Sequence, residues 1–407
     1  KGSRVLGVDV STSVVETINS GRIHIQEPDL DVLVRAAVQS GNLKAATKPA
    51  PADIFILAVP TPFLASADGA RVPDLSFVEA ATRSIAPFVA AGNLIILEST
   101  SPVGTTEKVK GWLEAELTKL GRPVDGLLYA HCPERILPGQ MLKELVSNDR
   151  ICGGLTPAAA EKARDLYASF CTAQIFLTDA RTAELAKLTE NAYRDVNIAL
   201  ANEFARVADR HGIDLSEVIR AANSQPYSHI HEPGIGVGGH CIPVYPRMIL
   251  STDGDLELIK TARAVNDGQV ERAVDAVAKQ LGTLKGATVA VLGLTYREGV
   301  RELAHARGPL VADALRARGA TVLGADPLLS ADDVAALNMT PWDGTANAQV
   351  TAVVVATADA AYRTMDFAKL FPALKVLIDG RNACAGATLP AGAKRIGFGR
   401  PNGVAAQ

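Results

Sequence analysis

The chain has 407 residues, of which 48% are hydrophobic and 21% charged, so it can bury a sizeable core and is not a generally disordered protein. Its 41 basic and 44 acidic residues give a formal net charge of −3, which provides no electrostatic surface for nucleic acid or for an anionic membrane. At typical domain sizes, this length predicts two or three domains.

The absence of a long apolar run and the spacing of the cysteines exclude further classes of protein. No run of 18 or more apolar residues is present, and the first apolar stretch ends at Asp9, so we expect neither a transmembrane helix nor a signal peptide. The five cysteines are scattered without C-x-x-C spacing, at positions 132, 152, 171, 241 and 384. This argues against a disulfide framework or a zinc site. We therefore expect reduced thiols and a cytoplasmic protein.

The first part of the chain alternates between short apolar runs and longer helical patterns. Buried strands are predicted at residues 4–10, 53–59, 94–97 and 127–130. Apolar positions at helical spacing predict helices at residues 77–91 and 106–120. Alternation of this kind predicts a doubly wound parallel sheet.

Asp9 follows the first predicted strand in the way an acidic residue ends the second strand of a dinucleotide-binding unit and binds ribose hydroxyls. The first strand, the Gly-rich turn and the first helix of such a unit lie about 20 residues earlier, whereas the numbering begins eight residues before Asp9. We expect these elements to lie upstream of Lys1. Two alternatives stay open: a chain without a phosphate loop, and an ordinary turn or N-cap role for Asp9.

The rest of the chain contains a helical section and a second alternating section. Residues 181–210 and 256–281 are Ala-rich and almost without Gly and Pro, which predicts a middle section of long helices. Residues 391–407 are predicted to be a loose tail. Between the helical section and this tail, strands are predicted at residues 287–294, 321–325, 351–356 and 375–378. A helix is predicted at 309–318 and ends at Gly319.

The segment that carries most chemical information is residues 236–243, Gly-Val-Gly-Gly-His-Cys-Ile-Pro. Glycines before a cysteine allow the backbone to approach a ligand closely while the thiol of Cys241 is presented to it. The alternative is a tight turn with a buried and inert cysteine.

Four other segments accompany this loop. They are Val-Pro-Thr-Pro at residues 59–62, Glu-Ser-Thr-Ser-Pro-Val-Gly-Thr-Thr at 98–106, Cys-Pro-Glu-Arg-Ile-Leu-Pro-Gly at 132–139 and Ala-Lys-Leu-Thr-Glu-Asn-Ala-Tyr-Arg at 186–194. Together the five segments closely resemble the UDP-glucose/GDP-mannose dehydrogenase family, over residues from about 7 to about 326. Residues 132–150 and 181–202 are most similar to family members that act on UDP-N-acetyl-D-mannosamine.

The resemblance implies an α/β fold with two Rossmann-like doubly wound parallel-sheet domains joined by a long-helix middle domain. The implied ranges are 1–180 for the NAD-binding domain, 181–282 for a helical dimerisation domain and 283–407 for a UDP-sugar-binding domain. The implied reaction oxidises the C6 alcohol of UDP-N-acetyl-D-mannosamine to the uronate with two NAD⁺, through a thiohemiacetal and a thioester on Cys241. A homodimer in polysaccharide biosynthesis, with no nucleic-acid or membrane partner, is also implied.

The resemblance also implies catalytic roles. Lys187 and Asn191, one helical turn apart, would stabilise the developing C6 oxyanion and donate a hydrogen bond to it. Glu134 would be the general base for thioester hydrolysis through a water, and Thr100 would orient that water or contact the nicotinamide. The alternatives are a solvated helix face for the lysine, an ion pair between Glu134 and Arg135, and a strand-end hydroxyl for the threonine.

Binding residues are implied in the same way. Arg263 would reach the substrate of the neighbouring subunit, the alternative being a solvated helix arginine. Implied cofactor contacts are Asp9, Val59, Pro60, Thr61, Thr100 and Arg301, the last near the NAD phosphates. Implied substrate contacts are Glu134, Arg135, Ile136, Leu137, Lys187, Asn191, His231, Gly234, Gly238 and Arg263. The histidines at 229 and 231 lack the spacing of metal ligands.

The sequence departs from the family pattern at Tyr245, where the family usually has an aspartate four residues after the nucleophile. This departure and the missing Gly-rich turn leave one alternative open, a catalytically silent partner subunit that binds a UDP-sugar. A second alternative is the same chemistry on UDP-N-acetylglucosamine or another UDP-hexose, because no residue identifies the C2 configuration of the sugar.

Overall fold

The computed structural model describes residues 2–25, 27–65, 71–137 and 139–400. The chain forms two compact units, Lys1–Glu190 and Asn191–Gln407. The three domain ranges implied by the resemblance stay a prediction.

The first unit contains the predicted strand–helix alternation. Its strands are β1 (Val5–Val8), β2 (Leu43–Ala46), β3 (Ile54–Leu57), β4 (Phe63–Ala65), β5 (Arg71–Pro73), β6 (Leu94–Leu97), β7 (Leu128–His131), β8 (Arg150–Gly154) and β9 (Ile175–Asp179). Its helices are α1 (Thr12–Asn19), α2 (Leu30–Gln39), α3 (Ser76–Ile85), α4 (Thr105–Lys119), α5 (Met141–Ser147) and α6 (Pro157–Ala168).

Five of these strands form one sheet in the order β3-β6-β7-β8-β9, parallel except for the β7–β8 pair. Alternate residues of β6 enter two different hydrophobic clusters. Ile95 and Leu97 pack with α3 and α4, while Leu94 and Ile96 pack with α6. Helices therefore cover both faces of the sheet, which confirms the predicted doubly wound fold. The strand predicted at residues 4–10 does not join this sheet, because β1 pairs with β2 instead.

The long helix α7 (Ala180–His211) confirms the helix predicted at residues 181–210. The pattern at 256–281 is also helical, but it forms two helices, α10 (Glu257–Asp267) and α11 (Gln269–Leu281), that meet at Gly268. Gly268 has a low helix propensity, and its φ of −68° and ψ of −9° are close to helical values, so the interruption is only one residue long.

The second unit has six strands, β10 (Thr288–Leu292), β11 (Thr321–Ala325), β12 (Thr340–Pro341), β13 (Val350–Val355), β14 (Val376–Asp379) and β15 (Lys394–Gly397). They form one parallel sheet in the order β12-β11-β10-β13-β14-β15. Its helices after α7 are α8 (Leu215–Ala222), α9 (Tyr245–Thr252), α10 (Glu257–Asp267), α11 (Gln269–Leu281), α12 (Arg307–Ala317), α13 (Ala331–Ala336), α14 (Ala360–Arg363) and α15 (Phe367–Leu370).

The tail prediction for residues 391–407 is wrong for its first part. β15 pairs in parallel with β14, and Ile396 packs against the core of the second unit. The strand forms because it completes the edge of a sheet that the local sequence alone does not reveal. Residues 401–407 lie outside the described residues. Across the described ranges, no helix is both long and apolar enough to cross a bilayer.

Candidate active site

Two loops of the first unit meet at the carboxyl edge of its sheet. β3 and β6 are parallel neighbours with Leu57 opposite Leu97, so the loops that follow them begin side by side. The Thr61 hydroxyl donates a hydrogen bond to the Thr100 carbonyl oxygen at 2.8 Å, and the Ser99 hydroxyl donates to the Val59 carbonyl oxygen at 2.7 Å. The structure thus brings together Val59, Pro60, Thr61 and Thr100. Dinucleotides bind at this edge in doubly wound folds.

Asp9 lies exposed directly after β1, and one carboxylate oxygen accepts a hydrogen bond from the Ser11 amide at 2.8 Å. The turn role that the sequence left open is therefore present. The second oxygen takes no part in that bond, and a strand-end carboxylate has the chemistry that binds ribose hydroxyls. The residue therefore fits the ribose of a nicotinamide dinucleotide.

Glu134 follows β7 and is held by a buried arginine. Arg150 lies 3.2 Å from the Glu134 carboxylate, and its guanidinium stacks 4.7 Å from the centre of the Tyr167 ring. The side-chain pair between Glu134 and Arg135 that the sequence left open is not formed. Arg135 instead pairs with Glu190 at 3.0 Å, and only its backbone amide contacts Glu134, at 2.5 Å.

The loop after Glu134 contains the expected substrate residues Ile136 and Leu137, and two carboxylates hold its backbone. Glu144 accepts from the Leu137 amide at 2.8 Å. The buried Glu27 accepts from the amides of Gly139 and Met141, both at 2.8 Å. No sequence pattern indicates this role of Glu27, because more than 100 residues separate it from its partners.

Buried polar groups behind Glu134 also escaped the sequence analysis. Tyr167 donates a hydrogen bond to Glu98 at 2.9 Å, and burial raises the pKa of Glu98 above its ordinary value. Burial lowers the pKa of His131, the last residue of β7, to about 3, so this imidazole is neutral at physiological pH. The environment beside Lys187 is therefore poorly solvated.

Helix α7 carries both Lys187 and Asn191 on one face, since they are four residues apart. They are 8% and 6% exposed, so the alternative of a solvated helix face for the lysine is wrong. The Lys187 ammonium lies 3.4 Å from the Glu190 carboxylate.

The thiol of Cys241 is exposed in the second unit, so the alternative of a buried, inert cysteine is wrong. The Cys241 carbonyl oxygen accepts from the amide of Tyr245, the first residue of α9, at 2.9 Å. Gly236 and Gly239 have φ of +110° and +90°, and added Cβ atoms would lie 2.9 Å from the Asn266 carbonyl oxygen and 3.0 Å from the Tyr296 ring. These glycines are therefore required by close packing within the protein itself.

The expected substrate loop rests on α7. The His231 amide donates to Asn197 at 2.9 Å, and the Gly234 amide donates to Asn202 at 2.9 Å. Burial, with a contribution from Arg194, lowers the pKa of His231. Gly238 packs against the segment before α12, where an added Cβ would lie 2.9 Å from the His305 carbonyl oxygen. Among the described residues, no three His, Cys, Asp or Glu side chains are grouped to hold a metal ion.

Arg263 is 4% exposed, so the alternative of a solvated helix arginine is wrong. Its guanidinium pairs with Asp195 and with Asp267, both at 2.5 Å. Burial raises the pKa of Asp195, while the Arg263 charge acts to lower it. Arg301 also forms an ion pair, with Asp333 at 2.9 Å. A contact of Arg263 with a neighbouring subunit's substrate and one of Arg301 with NAD phosphates stay predictions.

Comparison with known proteins agrees with this architecture. Residues 1–171, 181–268 and 290–386 match the NAD-binding, central and UDP-binding domains of the UDP-glucose/GDP-mannose dehydrogenase family. The chain is 50% identical over 305 residues to the NDP-N-acetyl-D-galactosaminuronic acid dehydrogenase of Ralstonia nicotianae, covering 74% of this chain and 71% of that protein. It is 47% identical over 306 residues to the UDP-N-acetyl-D-mannosamine dehydrogenase of Campylobacter jejuni, covering 74% of each.

A solved structure extends the similarity to nearly the whole chain. The UDP-D-ManNAc dehydrogenase of Pyrococcus horikoshii superimposes with a TM-score of 0.86 at 37% identity, covering 98% of this chain and 94% of that one. The chain belongs to the UDP-glucose/GDP-mannose dehydrogenase family. It is thus an NAD-dependent nucleotide-sugar dehydrogenase, and its cofactor is NAD.

Proposed function

We propose that this enzyme oxidises the C6 alcohol of UDP-N-acetyl-D-mannosamine to the carboxylate in two successive two-electron steps. The observation that carries the proposal is the exposed thiol of Cys241 on a loop whose glycines are fixed by packing. A thiol is needed because hydride loss from an alcohol stops at the aldehyde unless a nucleophile adds to it.

The chemistry divides between the cofactor and the side chains. Bound NAD⁺ accepts one hydride from C6 in each oxidation. The Cys241 thiol adds to the aldehyde carbon, giving a thiohemiacetal, and loss of the second hydride leaves a thioester. Water attacks the thioester, the C–S bond breaks and the thiol is restored. Overall, C6 loses two hydrides and gains one oxygen from water. The complete reaction releases three protons.

The other polar residues receive roles that match their chemistry. Lys187 would stabilise the negative charge that develops on the C6 oxygen, and Asn191 would donate a hydrogen bond to that oxygen. Both side chains are almost completely buried, and a charge acts most strongly where water is excluded. Glu134 would take the proton of the attacking water, and Thr100 would orient that water.

The names of the relatives support two candidate substrates. Proteins 43–47% identical to this chain are named UDP-N-acetyl-D-mannosamine dehydrogenases, as is the superimposed Pyrococcus horikoshii structure. Relatives at 48–50% identity are named NDP-N-acetyl-D-galactosaminuronic acid dehydrogenases. The second candidate is therefore the same reaction on another UDP-hexose with a 2-acetamido group, such as UDP-N-acetylgalactosamine or UDP-N-acetylglucosamine.

NADH release with a panel of UDP-sugars tests the substrate. We expect UDP-N-acetyl-D-mannosamine to give the highest kcat/KM and two NADH for each sugar consumed. A preference for a different acetamido sugar would select the second candidate. Activity confined to UDP-glucose would contradict the proposal, and binding of UDP-sugars without NADH release would indicate a catalytically silent subunit.

Replacement of the thiol tests the covalent route. Cys241→Ser should lower carboxylate formation by at least about 10³-fold, because a neutral serine hydroxyl adds to an aldehyde less readily than a thiolate, and an ester is hydrolysed less readily than a thioester. Cys171→Ala, which removes a buried thiol of the first unit, should leave the rate within about twofold and is the matched control. Mass spectrometry of the wild-type enzyme quenched during turnover should show a sugar-sized adduct on Cys241. Carboxylate formation by Cys241→Ser at the wild-type rate would rule out the thioester.

We also propose that the chain works as a cytoplasmic homodimer. Four apolar side chains on one face of α7 are each more than a third exposed in the single chain, and such a face is typical of a subunit interface. They are Tyr193, Leu200, Phe204 and Val207. All five cysteines are unpaired thiols, which suits a reducing compartment.

A further inference from the structure

Glu184, in the second turn of α7, forms three hydrogen bonds to the beginning of α4. Its carboxylate accepts from the Gly104 amide at 2.6 Å, the Thr106 amide at 2.8 Å and the Thr106 hydroxyl at 2.6 Å. The residue is only 1% exposed. A fully buried carboxylate is costly unless its oxygens are satisfied, and here three donors satisfy them.

This carboxylate replaces a missing helix cap. The residue before α4 is Gly104, with φ of +89°, which has no side chain to accept hydrogen bonds from the first amides of the helix. Glu184 supplies the acceptor, and its negative charge lies at the positive end of the helix dipole. Burial raises the pKa of Glu184, while the three donors act to lower it.

The position of this cap connects two elements that the proposed reaction uses. Gly104 closes the loop that carries Thr100, and Thr105 and Thr106 behind it are buried. On α7, Glu184 precedes Lys187 by three residues, which is about one helical turn. The Glu184 side chain therefore fixes the Thr100 loop to the helical turn that carries Lys187.

We infer that Glu184 is a positioning residue for the oxidation, which rests on the function proposed above. It contacts no reacting atom. It holds the Thr100 loop at a fixed distance from Lys187, and a displacement of about 1 Å in such an arrangement can cost about 10²-fold in rate.

A second contact between the same two helices provides a matched control. Arg181 and Glu107 pair at 2.8 Å, but their side chains are 65% and 42% exposed. Exposed pairs of this kind contribute little to stability. Glu107→Gln therefore removes one α4–α7 contact without changing the amides at Gly104 and Thr106.

The decisive comparison is Glu184→Gln against Glu107→Gln. The amide of Glu184→Gln has the same size, but its NH₂ group would face a backbone N–H. We expect kcat to fall by about 10- to 100-fold while the KM for the sugar changes by less than about threefold, because placement is lost and substrate binding is not. Glu107→Gln should keep kcat within about twofold. Glu184→Asp, which keeps the charge on a shorter side chain, should recover part of the rate.

Hydrogen exchange provides a measurement independent of turnover. In Glu184→Gln, the amides of residues 99–106 should exchange at least about tenfold faster than in the wild type, while those of β6 should not change. An unchanged kcat in Glu184→Gln, with the wild type active, would overturn the inference and leave the proposed function intact. A wild type inactive on every UDP-sugar would refute the proposed function instead. In that case, unchanged exchange at residues 99–106 would also overturn the role of Glu184 in holding this loop.

Discussion

Glu27 holds the loop after Glu134 through two backbone amides, and this single side chain spans the distance between two distant parts of the first unit. Its oxygens accept from Gly139 and Met141, at the start of α5. The buried carboxylate makes both bonds at once, so it fixes the direction in which the chain enters that helix. Ile136 and Leu137, which the sequence assigns to substrate binding, lie in the loop that it holds.

Replacement of Glu27 should therefore act on substrate binding more than on chemistry. We expect Glu27→Gln to raise the KM for the UDP-sugar by about tenfold and to lower kcat by less than about threefold, because one of two charge-assisted hydrogen bonds is lost. Steady-state kinetics with a fixed, saturating NAD⁺ concentration measures both. Asp31→Asn, which removes an exposed ion pair with Arg35 on α2, is the control and should change neither value. A normal KM in Glu27→Gln would show that the loop keeps its conformation without this carboxylate.

Local motifs identified the candidate site residues, whereas contacts between distant segments were not predictable. Lys187 and Asn191 were implied by the resemblance of residues 186–194 to the family, and their spacing on one helix adds only that the two side chains share a face. Cys241 was singled out by the glycines before it, and its catalytic role was implied by the resemblance and stays a prediction. No such signal marks Glu27 or Glu184, because each carboxylate acts on amides more than 75 residues away in the chain. Spacing along a sequence contains no information on such a contact.

At the scale of elements, a run of fully buried apolar residues was the clearest signal for a strand. β6 consists of four fully buried apolar residues and lies where it was predicted, at 94–97. β9, Ile-Phe-Leu-Thr-Asp, was not predicted; it lies at the edge of its sheet with Phe176 and Leu177 exposed, so it lacks the complete burial of β6. β15 was missed for the same reason, since an edge strand needs only one partner and a modest apolar content.

The pairing of β1 with β2, outside the five-stranded sheet, follows from the strand order of this type of fold. In the classical dinucleotide-binding order, the first strand of the unit lies between the second and the fourth. β1 has the position of a second strand by its terminal Asp9, and β3 that of a fourth strand. Apolar side chains on both are exposed, with Val5 at 54% and Ile56 at 47%. In the same order the second and third strands are neighbours, which is the pairing that β1 and β2 form.

At the scale of the whole molecule, α7 combines several tasks in one helix. Its first turns contain Glu184 and Lys187, and its later turns hold the His231 and Gly234 loop through Asn197 and Asn202. A helix of 32 residues is about 48 Å long, so it can support residues from distant parts of the sequence. Tyr193, Leu200, Phe204 and Val207 form an exposed apolar face on it, alongside exposed charged residues such as Arg194 and Arg206, and the proposed homodimer assigns that face to a second copy of the chain.

A charge placed on this face should separate the subunits. For the double variant Leu200→Glu and Phe204→Glu, we expect a particle of 42.6 kDa, where the wild type gives twice that mass in light scattering at micromolar concentration. Two carboxylates buried in each half of an apolar interface would lack partners, which costs several kcal/mol. Leu258→Glu on α10, where the side chain is already 69% exposed, should leave the dimer intact and is the control. If Arg263 acts across the interface as predicted, the monomeric variant should also lose most of its NADH production while keeping its helical circular dichroism. A wild-type chain that is monomeric under these conditions, or a double variant that stays dimeric, would show that the face on α7 has another role.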